Sequence, residues 1–181
     1  MKIALIDMDG TLCDYRGAIE EEFNKAFGDG DGLEWWNSEY DYVVDLIKKQ
    51  PGFWRSLKKL ELGFAIVDIL KKYEFDLHIL TKGPYRTTSA WTEKVEWCRE
   101  HIPGVPVTIT ENKSLVYGKI LVDDWPEYCE KWIKHRPRGT VIMPAYGYNK
   151  EFAAKYPGRV ILASMDNLDE VEEVIKQIAN G

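Results

Sequence analysis

The chemistry of this chain is concentrated where apolar runs end. Lys2-Ile3-Ala4-Leu5-Ile6 has no helical period and reads as a buried strand, and it stops at Asp7-Met8-Asp9-Gly10-Thr11. Two carboxylates at the carboxyl end of a buried strand are costly unless they meet a cation. That edge of an open α/β sheet is also where ligands bind. Three further pieces end predicted strands: Thr81-Lys82-Gly83 after Ile79-Leu80, Lys113 after the third strand, and Asp123-Asp124 after Ile120-Leu121-Val122. Clustered carboxylates suit a hard, oxygen-seeking cation such as Mg²⁺. A hydroxyl and an ammonium beside them would hold phosphoryl oxygens. Singly, Asp-Gly and Asp-Asp after a strand read equally as a turn and a helix start. Together, each at a strand tip, they point to a metal-assisted site for phosphate.

The elements that position these pieces alternate. Apolar, β-branched runs at Phe75–Leu80, Val105–Thr110, Lys119–Val122, Thr140–Met143 and Arg159–Ala163 are separated by helical patterns near Ala65–Tyr73, Ser89–His101, Pro126–His135 and Asn167–Ala179. This predicts an α/β fold, a parallel sheet between two layers of helices. Asp166 or Asn167 is the expected N-cap of the last helix. Residues 15–63 break the alternation with two helical patterns (about Ala18–Phe27 and Tyr40–Lys49) and the aromatics Trp35, Trp36, Phe53 and Trp54. We read 15–63 as a small helical cap inserted after the first strand, over a core of 1–14 plus 64–181. An insertion at that edge is placed to cover a site.

The 181 residues suffice for one domain with a small insertion, and the net charge of -6 argues against binding a nucleic-acid polymer. No apolar stretch is long enough for a bilayer, and no signal-peptide pattern opens the chain. The three separated cysteines, without a CxxC pair, fit a reducing, cytoplasmic setting. Asp29-Gly30-Asp31-Gly32 lacks the third acidic ligand of a calcium loop and reads as a turn. Lys134-His135-Arg136-Pro137-Arg138 reads as a solvated helix end, and Ala145-Tyr146-Gly147-Tyr148-Asn149 as a loop that could border a pocket.

The order Asp7/Asp9/Thr11, Thr81, Lys113, Asp123/Asp124 resembles the haloacid dehalogenase superfamily of phosphohydrolases, over about Met1 to Tyr128. More closely, Asp7 through Tyr15, Tyr85 through Lys94, and Thr110 through Asp124 resemble the 5'(3')-deoxyribonucleotidases. The sequence departs from that family at Thr11, where the family has Val, and at Thr81-Lys82-Gly83-Pro84, where it has Thr-Ser-Pro. The resemblance implies a three-layer Rossmann-like core and a Mg²⁺-dependent phosphatase whose partner is a small phosphomonoester, with (deoxy)nucleoside monophosphates foremost. It implies Asp7 as nucleophile and Asp9 as general acid and base. Thr81, Lys82, Gly83 and Lys113 would hold the phosphoryl group. Asp7, the Asp9 carbonyl and Asp124 would be metal ligands, with Asp123 holding a metal-bound water or Lys113. Tyr15 stands where the family places a Phe against the base, and Trp35, Trp36, Phe53 and Trp54 could complete a stacking slot. These aromatics could equally be the cap's own core. A sugar phosphate as substrate, or a noncatalytic phosphate-binding module, remain the rival readings, and an oligomer is compatible with the sequence.

Overall fold

A computed structural model describes residues 2–28 and 34–181. Six strands form one sheet: β1 (Ile3–Ile6), β2 (Asp76–Thr81), β3 (Val107–Ile109), β4 (Ile120–Val122), β5 (Thr140–Pro144) and β6 (Val160–Ala163). Every neighbouring pair is parallel, in the order β3-β2-β1-β4-β5-β6. The chain winds outward from β1 in one direction, then restarts at β4 on the other side of β1. This reversal leaves a crevice beyond the carboxyl ends of β1 and β4, the place where such sheets take ligands.

Alternation along each strand builds two apolar layers. Ala4, Ile6, Ile79, Ile120, Val122 and Ile142 face one core cluster, with α3 (Glu61–Lys72), α4 (Thr88–His101) and α7 (Leu168–Asn180) contributing Ile66, Trp97 and Val171. Leu5, Leu80, Leu121, Val141 and Met143 face the other, covered by α5 (Pro126–Lys134) and α6 (Lys150–Ala154) through Trp132 and Phe152. Both faces are buried, as the near-continuous apolar strands require.

After β1 the chain enters α1 (Tyr15–Phe27), a 3₁₀ turn at Ser38–Tyr40 and α2 (Asp41–Lys48). The Asp14 carboxylate caps α1 by accepting from Gly17 N–H at 2.9 Å. The segment leaves and returns along one seam: Asp14 N–H donates to Lys58 O at 2.8 Å, and Leu60 N–H to Leu12 O at 2.9 Å. Its apolar residues Ile19, Phe23, Val44, Ile47, Phe53 and Trp54 join the first core cluster.

Several local expectations shift. α3 begins at Glu61, ahead of the periodic run seen from Ala65. The short α6, five residues after a tyrosine-rich loop, carries too little periodicity to be seen. Asn167 occupies the position before α7, but its side chain turns back to accept from Ser164 N–H at 2.8 Å in a capping box around a 3₁₀ turn. Arg136, expected to be solvated, instead donates to Ser114 O at 3.1 Å and packs on Trp132 and Tyr117. The Asp29–Gly32 turn lies outside the described residues. Among those described, no helix is long and apolar enough to cross a membrane.

Candidate active site

The loop after β1 winds around one carbonyl: Leu12 and Cys13 N–H both donate to Met8 O, at 2.8 and 2.9 Å. Met8 is fully buried beneath it, while Asp7 and Asp9, two residues apart, reach the crevice. The turn needs glycine at position 10. Its φ is +72°, and a Cβ there would stand 2.5 Å from the Asp124 carboxylate. Gly63 is equally constrained, since a Cβ would meet Thr11 O at 2.0 Å, so α3 packs directly on the back of the loop.

β4 ends at Asp123 and Asp124. Ligand oxygens of Asp7, Asp123 and Asp124, all buried, lie within 4.8 Å of one another. Lys113, on a 3₁₀ turn after β3, is 3% exposed and pairs with Asp7 Oδ1 at 2.6 Å and Asp123 Oδ2 at 2.7 Å. Burial alone would lower the ammonium's pKa, but Asp123 and Asp7 outweigh it and hold Lys113 charged. One cation faces three carboxylates, and the excess shows in the protonation of Asp124 and Asp123. Burial, with Asp123 and Asp7 adding repulsion, pushes the Asp124 carboxyl up to about 8. Asp123, buried but paired with Lys113, is raised to about 6. An all-oxygen donor set with uncompensated negative charge fits a hard divalent cation.

Asp9 extends from the same loop, its side chain one-quarter exposed. Burial raises its carboxyl pKa and Asp7 adds to the rise, while Lys94 opposes both. Thr81, the last residue of β2, is fully buried and its hydroxyl accepts from Lys94 Nζ at 3.0 Å. Gly83 follows under the Trp91 ring, which a Cβ would meet at 2.3 Å.

A cavity of about 910 Å³ opens above these groups. Its lining includes Asp7, Asp9, Lys82, Lys94, Lys113, Asp124, Tyr15, Trp35, Trp36 and Trp54. Thr81, Gly83 and Asp123 are not among the lining residues. Phe53 lies away from it, buried edge-on to Tyr15 and Trp54 with centroids 6.4 and 5.4 Å apart. Trp54 borders the cavity but is 3% exposed: it stacks on Tyr15 at 5.4 Å, and Lys94 Nζ lies 4.5 Å from its ring. Trp36, more than half exposed, keeps a free ring surface beside the half-buried Trp35.

Three contributors escaped the sequence reading. Lys94 carried only a likeness in the helix after Thr81. Tyr128 borders the cavity with Lys82 and Lys113 Nζ 5.2 and 5.1 Å from its ring, a basic rim that a Tyr in α5 does not announce. Arg16, next to Tyr15, lies over both Trp35 and Tyr148, 5.3 and 4.9 Å from their centroids. The loop after β5 does border the cavity. Tyr148 O–H donates to Asp124 Oδ2, Tyr146 O–H to Gly10 O at 2.9 Å, and Asn149 Nδ2 to Asp124 O at 3.1 Å. The adjoining aromatics at 146 and 148 were the available signal.

Comparison with known proteins agrees with this geometry. The chain is similar to a Staphylococcus aureus (strain MSSA476) protein named "Putative 5'(3')-deoxyribonucleotidase", 29% identical over 153 residues, covering 78% of this chain and 81% of that one. A Bordetella bronchiseptica protein of the same name is 26% identical over 164 residues, covering 82% and 86%. In fold it is similar to a Burkholderia xenovorans protein described as a "putative haloacid dehalogenase-like hydrolase" (TM-score 0.61, 15% identity, 96% and 97% covered). It is likewise similar to a HAD family hydrolase from Deinococcus radiodurans solved with bound phosphate and sodium (TM-score 0.62, 12% identity, 96% of each chain). The model of the family described as 5' nucleotidase, deoxy (pyrimidine), cytosolic type C protein matches residues 1–180, so the chain belongs to that family and is a phosphohydrolase of the haloacid dehalogenase superfamily.

Proposed function

We propose that this phosphohydrolase is a Mg²⁺-dependent phosphomonoesterase acting on nucleoside monophosphates, deoxyribonucleotides foremost, through an aspartyl-phosphate on Asp7. The observation that carries the reading is the convergence of Asp7, Asp123, Asp124 and Lys113 at the floor of an aromatic-walled cavity. A volume of about 910 Å³ is ample for a nucleotide and far exceeds what inorganic phosphate needs.

In the first step Asp7 attacks phosphorus and the ester P–O bond breaks. Asp9, its carboxyl held toward the protonated form by burial, gives its proton to the departing oxygen. In the second step Asp9 takes a proton from water as that water attacks phosphorus. The Asp7–phosphorus bond breaks, returning the Asp7 carboxylate and releasing phosphate. Lys113, bound to Asp7 Oδ1, keeps the nucleophile oriented and sets positive charge beside the phosphoryl oxygens. Lys82 at the rim and the Lys82–Gly83 backbone would take the remaining oxygens, with Thr81 behind them. Mg²⁺, held by Asp7, the Asp9 carbonyl and Asp124 with Asp123 behind, would neutralise phosphoryl charge.

Residues 15–63 would act as a cap that selects the leaving group. Tyr15 and Trp54 form a preassembled wall, and Trp36 with Trp35 offers the accessible stacking surface. The names of the Staphylococcus and Bordetella relatives support the nucleotide over a sugar phosphate. Phosphate release from a panel of deoxy- and ribonucleoside monophosphates and sugar phosphates tests the reading. Preference for nucleotides, lost in Trp36→Ala, is expected; equal rates on sugar phosphates would overturn the substrate.

A further inference from the structure

Lys94 lies in the middle of α4, fully buried, a rare state for lysine unless its charge is compensated. Its ammonium has three N–H donors and three acceptors surround it: Asp9 Oδ2 at 2.5 Å, Lys82 O at 2.9 Å and Thr81 Oγ1 at 3.0 Å. The Trp54 ring lies 4.5 Å away. No N–H is left for a substrate oxygen. Although Lys94 borders the cavity, it is therefore built to hold protein groups rather than to grip phosphate. It fixes one oxygen of Asp9 and, among the described residues, leaves Oδ1 with only a weak Cys13 Sγ contact at 3.8 Å.

We propose that Lys94 is a positioning residue for proton transfer, anchoring Asp9 by Oδ2 so that Oδ1 carries the proton to the leaving oxygen. The balance is simple. As the Asp7–phosphorus bond forms and the ester P–O bond breaks, the Oδ1 proton moves to the departing oxygen. The carboxylate left on Asp9 is matched by the ammonium already touching it. The hydroxyl of Thr81 and the carbonyl of Lys82, held by the same ammonium, tie the β2 tip to this group.

The inference rests on the phosphatase reading above, and its test separates the two. Aryl phosphates of graded leaving-group acidity are compared by kcat/KM, which reports the first chemical step. In Lys94→Met, kcat/KM should fall about tenfold or more for phenyl phosphate, whose leaving group needs a proton, and about twofold or less for 2,4-dinitrophenyl phosphate. In an Asp9→Asn background Lys94→Met should add no further discrimination between the two. A uniform loss across the series, or an undiminished effect without the Asp9 carboxyl, would overturn the inference and leave Lys94 a merely structural cation. Lys94→Gln, which keeps an N–H donor in less volume, is read the same way should the Met variant not fold. Wild-type turnover that Asp7→Asn abolishes establishes the phosphatase reading on its own; an inactive wild type would overturn both.

Discussion

Replacing Asp124 by Asn should stabilise the metal-free protein while abolishing its response to Mg²⁺. Asp124 is 6% exposed and lies within 4.8 Å of Asp7 and Asp123, with Lys113 paired to those two rather than to it. Burial and the neighbouring carboxylates raise its carboxyl to about 8 in the folded chain, against 3.8 ordinarily. Between those values the folded state binds more protons than the unfolded one. Metal-free stability is therefore greatest in mild acid and falls as pH rises toward the folded value. At neutral pH the unfavourable contribution reaches about 4 kcal/mol at 1.36 kcal/mol per pH unit. Asn keeps the acceptor that Tyr148 O–H uses and removes the charge. Allowing half of the ceiling for relaxation, a gain of about 2 kcal/mol is expected near pH 7 in EDTA, growing somewhat toward pH 8 and shrinking toward zero near pH 4. Urea unfolding of both proteins, with EDTA and then with Mg²⁺, measures this. Mg²⁺ should raise the wild-type midpoint and leave the variant's in place. A lower EDTA midpoint for Asp124→Asn near pH 8, or wild-type stability that climbs from mild acid to pH 8, would refute the electrostatic reasoning.

Lys113→Met leaves Asp7 and Asp123 buried without their shared cation; a loss of about 3–5 kcal/mol in urea unfolding is expected near neutral pH, together with loss of phosphatase turnover. Gly10→Ala must resolve a 2.5 Å approach to Asp124 at positive φ, and turnover should collapse with a stability loss of about 1–3 kcal/mol by thermal unfolding. Trp36→Ala and Trp54→Ala should separate recognition from packing. The exposed Trp36 should raise KM for nucleotides about tenfold with stability changed by about 0.5 kcal/mol or less, whereas the buried Trp54 should cost about 3–5 kcal/mol in unfolding.

The strand-tip logic was legible because a parallel sheet turns linear order into geometry. Once Asp7, Thr81, Lys113 and Asp123 are each placed after an apolar run, the fold brings them to one edge. Lys113 shows the limit of that logic. Its position after β3 was readable, but its pairing with both Asp7 and Asp123 depends on how a 3₁₀ turn folds back. Lys94 was hidden because a lysine in a helix of mixed polarity looks solvated, and only the fit of α4 against the β1 and β2 tips buries it. The aromatics of residues 15–63 were ambiguous for a related reason: Trp54 is both packed core and cavity wall. Phe53, one residue away, packs behind it, and Trp36 faces solvent. Adjacent residues with the same chemistry part company through tertiary packing, which spacing does not encode. The loop from Pro144 to Asn149 reaches Asp124 through hydroxyl and amide tips, contacts with no periodic signature.

The central claim is that Asp7 takes the phosphoryl group in transit. Acid-quenched single turnover of a deoxynucleoside monophosphate with Mg²⁺, followed by peptide mass spectrometry, measures this directly. The account predicts one added phosphoryl group on the peptide bearing Asp7 during turnover, absent from Asp7→Asn, which also releases no phosphate. Full phosphate release by Asp7→Asn, or a phosphoryl group carried on another residue, would contradict it.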